Sequence, residues 1–134
     1  MMKLTFKNVL LYIFLKYLIF YVFLMFRNRD FKLLEMDNLI HGHTFVYFFL
    51  FMLPLIVVSM IFFSAPFYYS FKLKRGLLFL LLIGLVCVAD YFIYTYLASP
   101  SDMNNGIYLE IIGILLFLIF FYRQIVLKFN QQTK

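Results

Sequence analysis

Four long apolar runs divide the chain, and polar stretches separate them. The first is Val9–Phe26, VLLYIFLKYLIFYVFLMF. The second is Phe45–Phe63, FVYFFLFMLPLIVVSMIFF. The third is Leu77–Leu97, LLFLLLIGLVCVADYFIYTYL, and the fourth is Ile107–Tyr122, IYLEIIGILLFLIFFY. A helix rises about 1.5 Å per residue, so some twenty residues span roughly 30 Å, the hydrocarbon thickness of a bilayer. Each run therefore predicts a transmembrane helix. None shows the period-two alternation of an outer-membrane strand. The expected fold is an all-α integral membrane protein, a single membrane domain over residues 1–134 with four transmembrane helices in a small bundle. Short loops are expected, with both termini on the same side.

The first run follows a charged start but is too long for a signal-peptide core. Lys16 interrupts it and no A-x-A-like cleavage site follows, so it is expected to be retained. Pro54 falls in the middle of the second run, where it should kink the helix. Ser64, Ala65 and Pro66 are expected to close that helix. Phe67–Gly76 then reads as an interfacial connector of aromatics and bases. Arg27–Thr44 reads as a mixed loop, part of it suited to lying on the membrane surface.

Composition sharpens this picture. The chain is 66% hydrophobic and 13% charged. No soluble domain of this size hides so much apolar surface, and disorder is excluded by the same figures. The single cysteine, Cys87, lies within the third run, so it has no partner for an intramolecular disulfide.

The net charge of +6 does not indicate nucleic acid, because the bases flank apolar runs. One side of the expected topology carries Lys3, Lys7, Lys72, Lys74, Arg75, Arg123, Lys128 and Lys134 with no acid. The other carries Arg27, Arg29 and Lys32, offset by Asp30, Glu35, Asp37, Asp102 and Glu110. This bias predicts cytoplasmic N and C termini, with the basic side facing anionic lipids. No lipidation or eukaryotic sorting motif is found, and the small size fits a bacterial cytoplasmic membrane.

The candidates for chemistry are few. Lys16 and Asp90 are the charges well inside spans, where ionisable groups cost roughly 2.5–3.5 kcal/mol and mark functional sites by default. A Lys16–Asp90 ion pair or a proton relay is one expectation. Counted from the cytoplasmic ends of their spans, Lys16 lies about 10 Å deep and Asp90 about 20 Å. That mismatch argues for separate roles unless the helices are staggered. Lys16 would then snorkel, and Asp90 would bond locally to Tyr94, one turn on, with Cys87 on the same face. In that arrangement Leu85 and Phe92 turn toward lipid.

Glu110 is expected near the membrane surface, close to a helix N-terminus. His41 and His43, with Asp37 and Glu35 nearby, have the chemistry of metal ligands, but His-x-His lacks the further ordered ligands a zinc site needs. No metal and no cofactor is expected. Gly84 and Gly113 are expected at close helix contacts. Tyr91, Tyr94, Tyr96 and Tyr108 fit an aromatic belt.

Asp37 and His41 entering the second span, Asp90 late in the third, and Asp102, Asn104 and Asn105 before the fourth give a layout that resembles the VanZ-like membrane proteins. Asn38 stands where that pattern has lysine, and the arginine before its last aspartate is missing. The resemblance implies a membrane enzyme. The residues themselves point first to a non-enzymatic accessory or interaction protein, a subunit of a membrane assembly or an immunity-type protein. A small transporter or channel subunit using Asp90 is the alternative. The expected partners are the lipid bilayer, other membrane subunits or a second copy.

Overall fold

The computed structural model describes residues 4–28, 53–98 and 103–130. It contains α1 (Phe6–Asn28), α2 (Leu53–Ser70), α3 (Gly76–Ala98) and α4 (Met103–Asn130). All four are long and apolar enough to cross a membrane. The described residues form an all-α four-helix bundle of the membrane-embedded kind, and its outer faces would contact lipid.

The helices form a ring in which α1 packs on α2 and α4, and α3 packs on the same two neighbours. Contacts along the helices fix their directions. Phe6 meets Tyr68, Tyr12 meets Phe67, and Tyr17 meets Ser59, so α1 and α2 are antiparallel. Tyr12 meets Phe121 while Arg27 meets Asn105, so α1 and α4 are antiparallel too. Across the ring, α1 and α3 run parallel, with Tyr17 beside Asp90 and Phe20 beside Tyr94. The start of α1, the turn between α2 and α3, and the end of α4 therefore share one end of the bundle.

Among the described residues the spans match the expected four and differ at their ends. α2 does not stop at Ser64–Ala65–Pro66 but continues to Ser70. Pro66 leaves the carbonyl four residues back without its helical donor. Phe63, Ser64, Phe67 and Ser70 are nevertheless buried, so this stretch belongs to the bundle rather than to an interfacial connector. The turn after it is tight. Lys72 N–H donates to the Tyr69 carbonyl at 2.9 Å, and Leu73 N–H to that of Ser70 at 3.2 Å. Lys128 Nζ reaches from α4 to the Phe71 carbonyl at 2.6 Å.

α4 begins at Met103 and ends at Asn130, longer at both ends than the strictly apolar run. Asn104, Asn105 and Gly106 are in its first turn. The run containing Pro54 is described from Leu53 onward, and residues 29–52 lie outside the described residues.

Each helix turns a narrow stripe inward. On α1 the buried residues are Val9, Tyr12, Ile13, Lys16, Tyr17 and Phe20, at helical spacing, whereas Leu11, Leu18, Ile19 and Val22 are exposed. Toward the terminal end the core is aromatic, with Tyr12, Phe67, Phe71, Phe79, Phe117 and Phe121 in mutual ring contact. Toward the other end Phe20 packs edge-on against Tyr94, and Phe23 against Tyr108. The polar residues at mid-bundle lie between these two aromatic layers.

Candidate functional site

Lys16 shares the inward stripe of α1 with Tyr12, one turn earlier, and with Phe20, one turn later. Its ammonium is 2.6 Å from Asp90 Oδ2 on α3 and 2.8 Å from Glu110 Oε1 on α4. One cation thus ties three helices together. Asp90 has a second donor. The Tyr17 hydroxyl donates to Oδ1 at 2.6 Å, and Ser59 Oγ on α2 lies 3.4 Å from the same oxygen. Ser59 and Tyr17 are 2.6 Å apart. The phenol has a single proton, engaged with Asp90, so Ser59 donates to Tyr17. All four helices contribute to the cluster.

A glycine makes room for the lysine. A Cβ placed on Gly113 would sit 2.6 Å from Lys16 Cε and 3.0 Å from Nζ. The Gly113 carbonyl accepts a hydrogen bond from Tyr12 at 3.0 Å. Gly106, two turns toward the start of α4, plays the same part against α3, where a Cβ would come within 2.7 Å of the Tyr91 ring and 2.8 Å of Thr95 Oγ1.

Lys16 and Asp90 are only 3% and 4% exposed, which excludes a lysine that snorkels to the head groups in this arrangement. Charges so placed lose their hydration, and only direct partners offset that loss. The partners are unequally shared. Asp90 has both oxygens bonded. Glu110 has Oε1 on Lys16, while its buried Oε2 has no hydrogen-bond partner of good geometry. The Cys87 thiol on α3 flanks this carboxyl. With every group in its ordinary ionised form the triad would carry one positive and two negative charges.

The Lys16–Asp90 pair corrects the depth argument. Lys16 is ten residues into α1 and Asp90 fourteen into α3. The helices are staggered by that difference, about 6 Å, so the two side chains meet. Glu110 is corrected too. With α4 beginning at Met103 it lies seven residues, about 10 Å, inside the helix and within the ion cluster rather than at the surface.

Asp90 faces protein, and Tyr94 is buried on the same side, while Leu85 and Phe92 are exposed on the outer face. The tyrosine bonded to Asp90 is Tyr17 of α1, and Tyr94 packs on Phe20. Tyr94 is thus a core residue rather than part of a belt. Tyr96 is exposed, and Tyr108 lies beneath the Arg27 guanidinium. Gly84 touches nothing within 4 Å and marks no helix contact.

Asp37, His41, His43 and Asp102 lie outside the described residues. Among the described residues no three of His, Cys, Asp and Glu come together as metal ligands. The cation that the two carboxylates hold is the lysine itself.

Tyr17 and Ser59 were not singled out from sequence. Ser59, a lone small polar residue within VVSMIFF, carried a readable signal, since such residues in apolar helices bond across to a neighbour. No protein-family model, curated protein or solved structure matches the chain.

Proposed function

We propose that this protein is a non-enzymatic accessory or interaction protein of a membrane assembly, acting through its transmembrane surface. The observation that carries this reading is the direction of its chemistry. The charged side chains Lys16, Asp90 and Glu110 at mid-bundle are bonded to one another, and the surface that the described helices offer outward is apolar. On α3 that surface comprises Leu77, Leu78, Leu80, Leu81, Leu85, Val88, Phe92 and Tyr96. A partner would meet this protein within the bilayer, as helix against helix. The cluster would hold the four helices in one register, so that a single surface is presented.

The basic side chains Lys7, Lys72, Lys74, Arg75 and Arg123 gather at the end shared by the termini, and Arg27 is at the other. That distribution supports cytoplasmic termini facing anionic lipids. A bacterial cytoplasmic membrane is the setting proposed. Purification of the tagged chain from native membranes in mild detergent should recover a stoichiometric membrane partner or a defined oligomer. A monomer alone, from cells in which the tagged protein complements a deletion, would argue against this reading.

A second reading, a small transporter or channel subunit using Asp90, is favoured by the uneven charge of the triad. It requires Asp90→Asn to abolish proton or ion flux into vesicles while the protein remains folded.

A further inference from the structure

We propose that the Lys16–Asp90–Glu110 cluster is a binding site for one exchangeable proton, held on Glu110 Oε2. Two carboxylates face one ammonium at 2.6 and 2.8 Å. Fully ionised, the cluster would hold an uncompensated negative charge between two aromatic layers. Buried net charge is removed by changing a protonation state whenever a titratable group is present. One added proton makes the triad neutral.

Hydrogen bonding then selects the carboxyl. Asp90 accepts from Lys16 on Oδ2 and from Tyr17 on Oδ1, so a proton on either oxygen would displace a donor already in place. Glu110 accepts from Lys16 on Oε1 alone, and Oε2 is buried and without a partner. A proton on Oε2 displaces no donor of good geometry, and the Oε1 carbonyl goes on accepting from Lys16. The Cys87 sulfur, a weak acceptor, flanks this carboxyl.

The other titratable groups around the site are consistent with this assignment. α1 presents Lys16, Tyr12 and Tyr17. Tyr12 donates to the Gly113 carbonyl, and Tyr17 to Asp90. α3 presents Asp90 and Cys87. α2 presents Ser59, which does not titrate in this range. Glu110 is also the least buried member of the triad, its side chain 13% exposed against 4% and 5% for Lys16 and Asp90. It is therefore the member best placed to exchange a proton with the outside. The inference holds whether the protein is an accessory subunit or part of a transporter, because it concerns occupancy of the site and not flux.

Infrared spectroscopy of the full chain in lipid reads the proton directly as the carbonyl stretch of an undissociated carboxylic acid. The spectrum is taken at neutral pH, where solvent-exposed carboxyls are ionised. The expected result is one such band that shifts with 13C-labelled glutamate and not with 13C-labelled aspartate. It should vanish in Glu110→Gln. It should vanish also in Asp90→Asn, where Glu110 becomes the sole counter-ion of Lys16 and ionises. If either variant fails to fold, the isotope labels in the unmodified protein decide the matter. Absence of a glutamic acid band, a band that follows aspartate, or a band that persists in folded Glu110→Gln would overturn the assignment.

Discussion

Replacing Lys16 with methionine tests the cluster at its centre. Methionine retains most of the volume of lysine and removes the cation. Asp90 and Glu110 then lose a donor that was 2.6 and 2.8 Å away, on helices joined to α1 also by aromatic packing and by the Tyr17, Tyr12 and Arg27 hydrogen bonds. Removing one partner of a buried ion pair costs about 3–5 kcal/mol. Uptake of protons by the stranded carboxyls limits the loss, so we place the expected value near the lower end, about 3 kcal/mol.

Asp90→Asn should cost less, about 1.5–3 kcal/mol, because Lys16 keeps Glu110 and the new amide oxygen still accepts from Tyr17. Both figures exceed the roughly 0.6 kcal/mol typical of a hydrogen bond between membrane helices. The double variant should be more stable than the summed losses imply by about 1–3 kcal/mol, since the two residues share one interaction. Reversible unfolding in mixed micelles provides the assay, followed by circular dichroism or by tyrosine emission, as the chain has 11 tyrosines and no tryptophan. A Lys16→Met protein within about 0.5 kcal/mol of the parent would refute the reasoning, for that is the behaviour of a surface substitution.

Gly113→Ala should destabilise the bundle by about 1–3 kcal/mol, because the methyl would press on a Lys16 stem already fixed at its tip, whereas Gly84→Ala should be neutral in the same assay. In a Cys87→Ala background, a lipid-soluble maleimide should label Leu85→Cys and Phe92→Cys readily and Asp90→Cys slowly; equal rates would mean that position 90 faces lipid. Reporter fusions at Lys134 and after Asp102 should lie on opposite sides of the membrane, the former cytoplasmic, and the same side for both would contradict four spans.

Much of the architecture could be read from the chain. Four apolar runs of membrane-spanning length left little choice of fold, and the deep position of Asp90 required it to turn inward. Helical spacing from Asp90 then gave the right faces for Tyr94, Leu85 and Phe92. The pairing within the cluster is not legible in the sequence, because the edges of the apolar runs are not the ends of the helices. Hydropathy marks where side chains stop being greasy, not where the backbone stops being helical. α4 starts in the polar sequence MNNG, and that shift of one turn moves Glu110 from the surface to the core. The stagger of α1 and α3 is a tertiary property, set by which aromatic rings interlock, and no single helix encodes it. Gly113 and Gly84 look alike in sequence, and only the neighbouring lysine separates them.

Lys16 is held inside the bundle by the carboxyl groups of Asp90 and Glu110. Solid-state NMR of the protein in lipid bilayers, with 15N-lysine and 13C-labelled aspartate and glutamate, measures this directly. The account predicts through-space contacts at ion-pair distance from the Lys16 ammonium nitrogen to the carboxyl carbons of both Asp90 and Glu110, with no exchange to bulk water on the same timescale. A mobile, water-exchanging ammonium without carboxyl contacts would contradict it and would return Lys16 to the head groups.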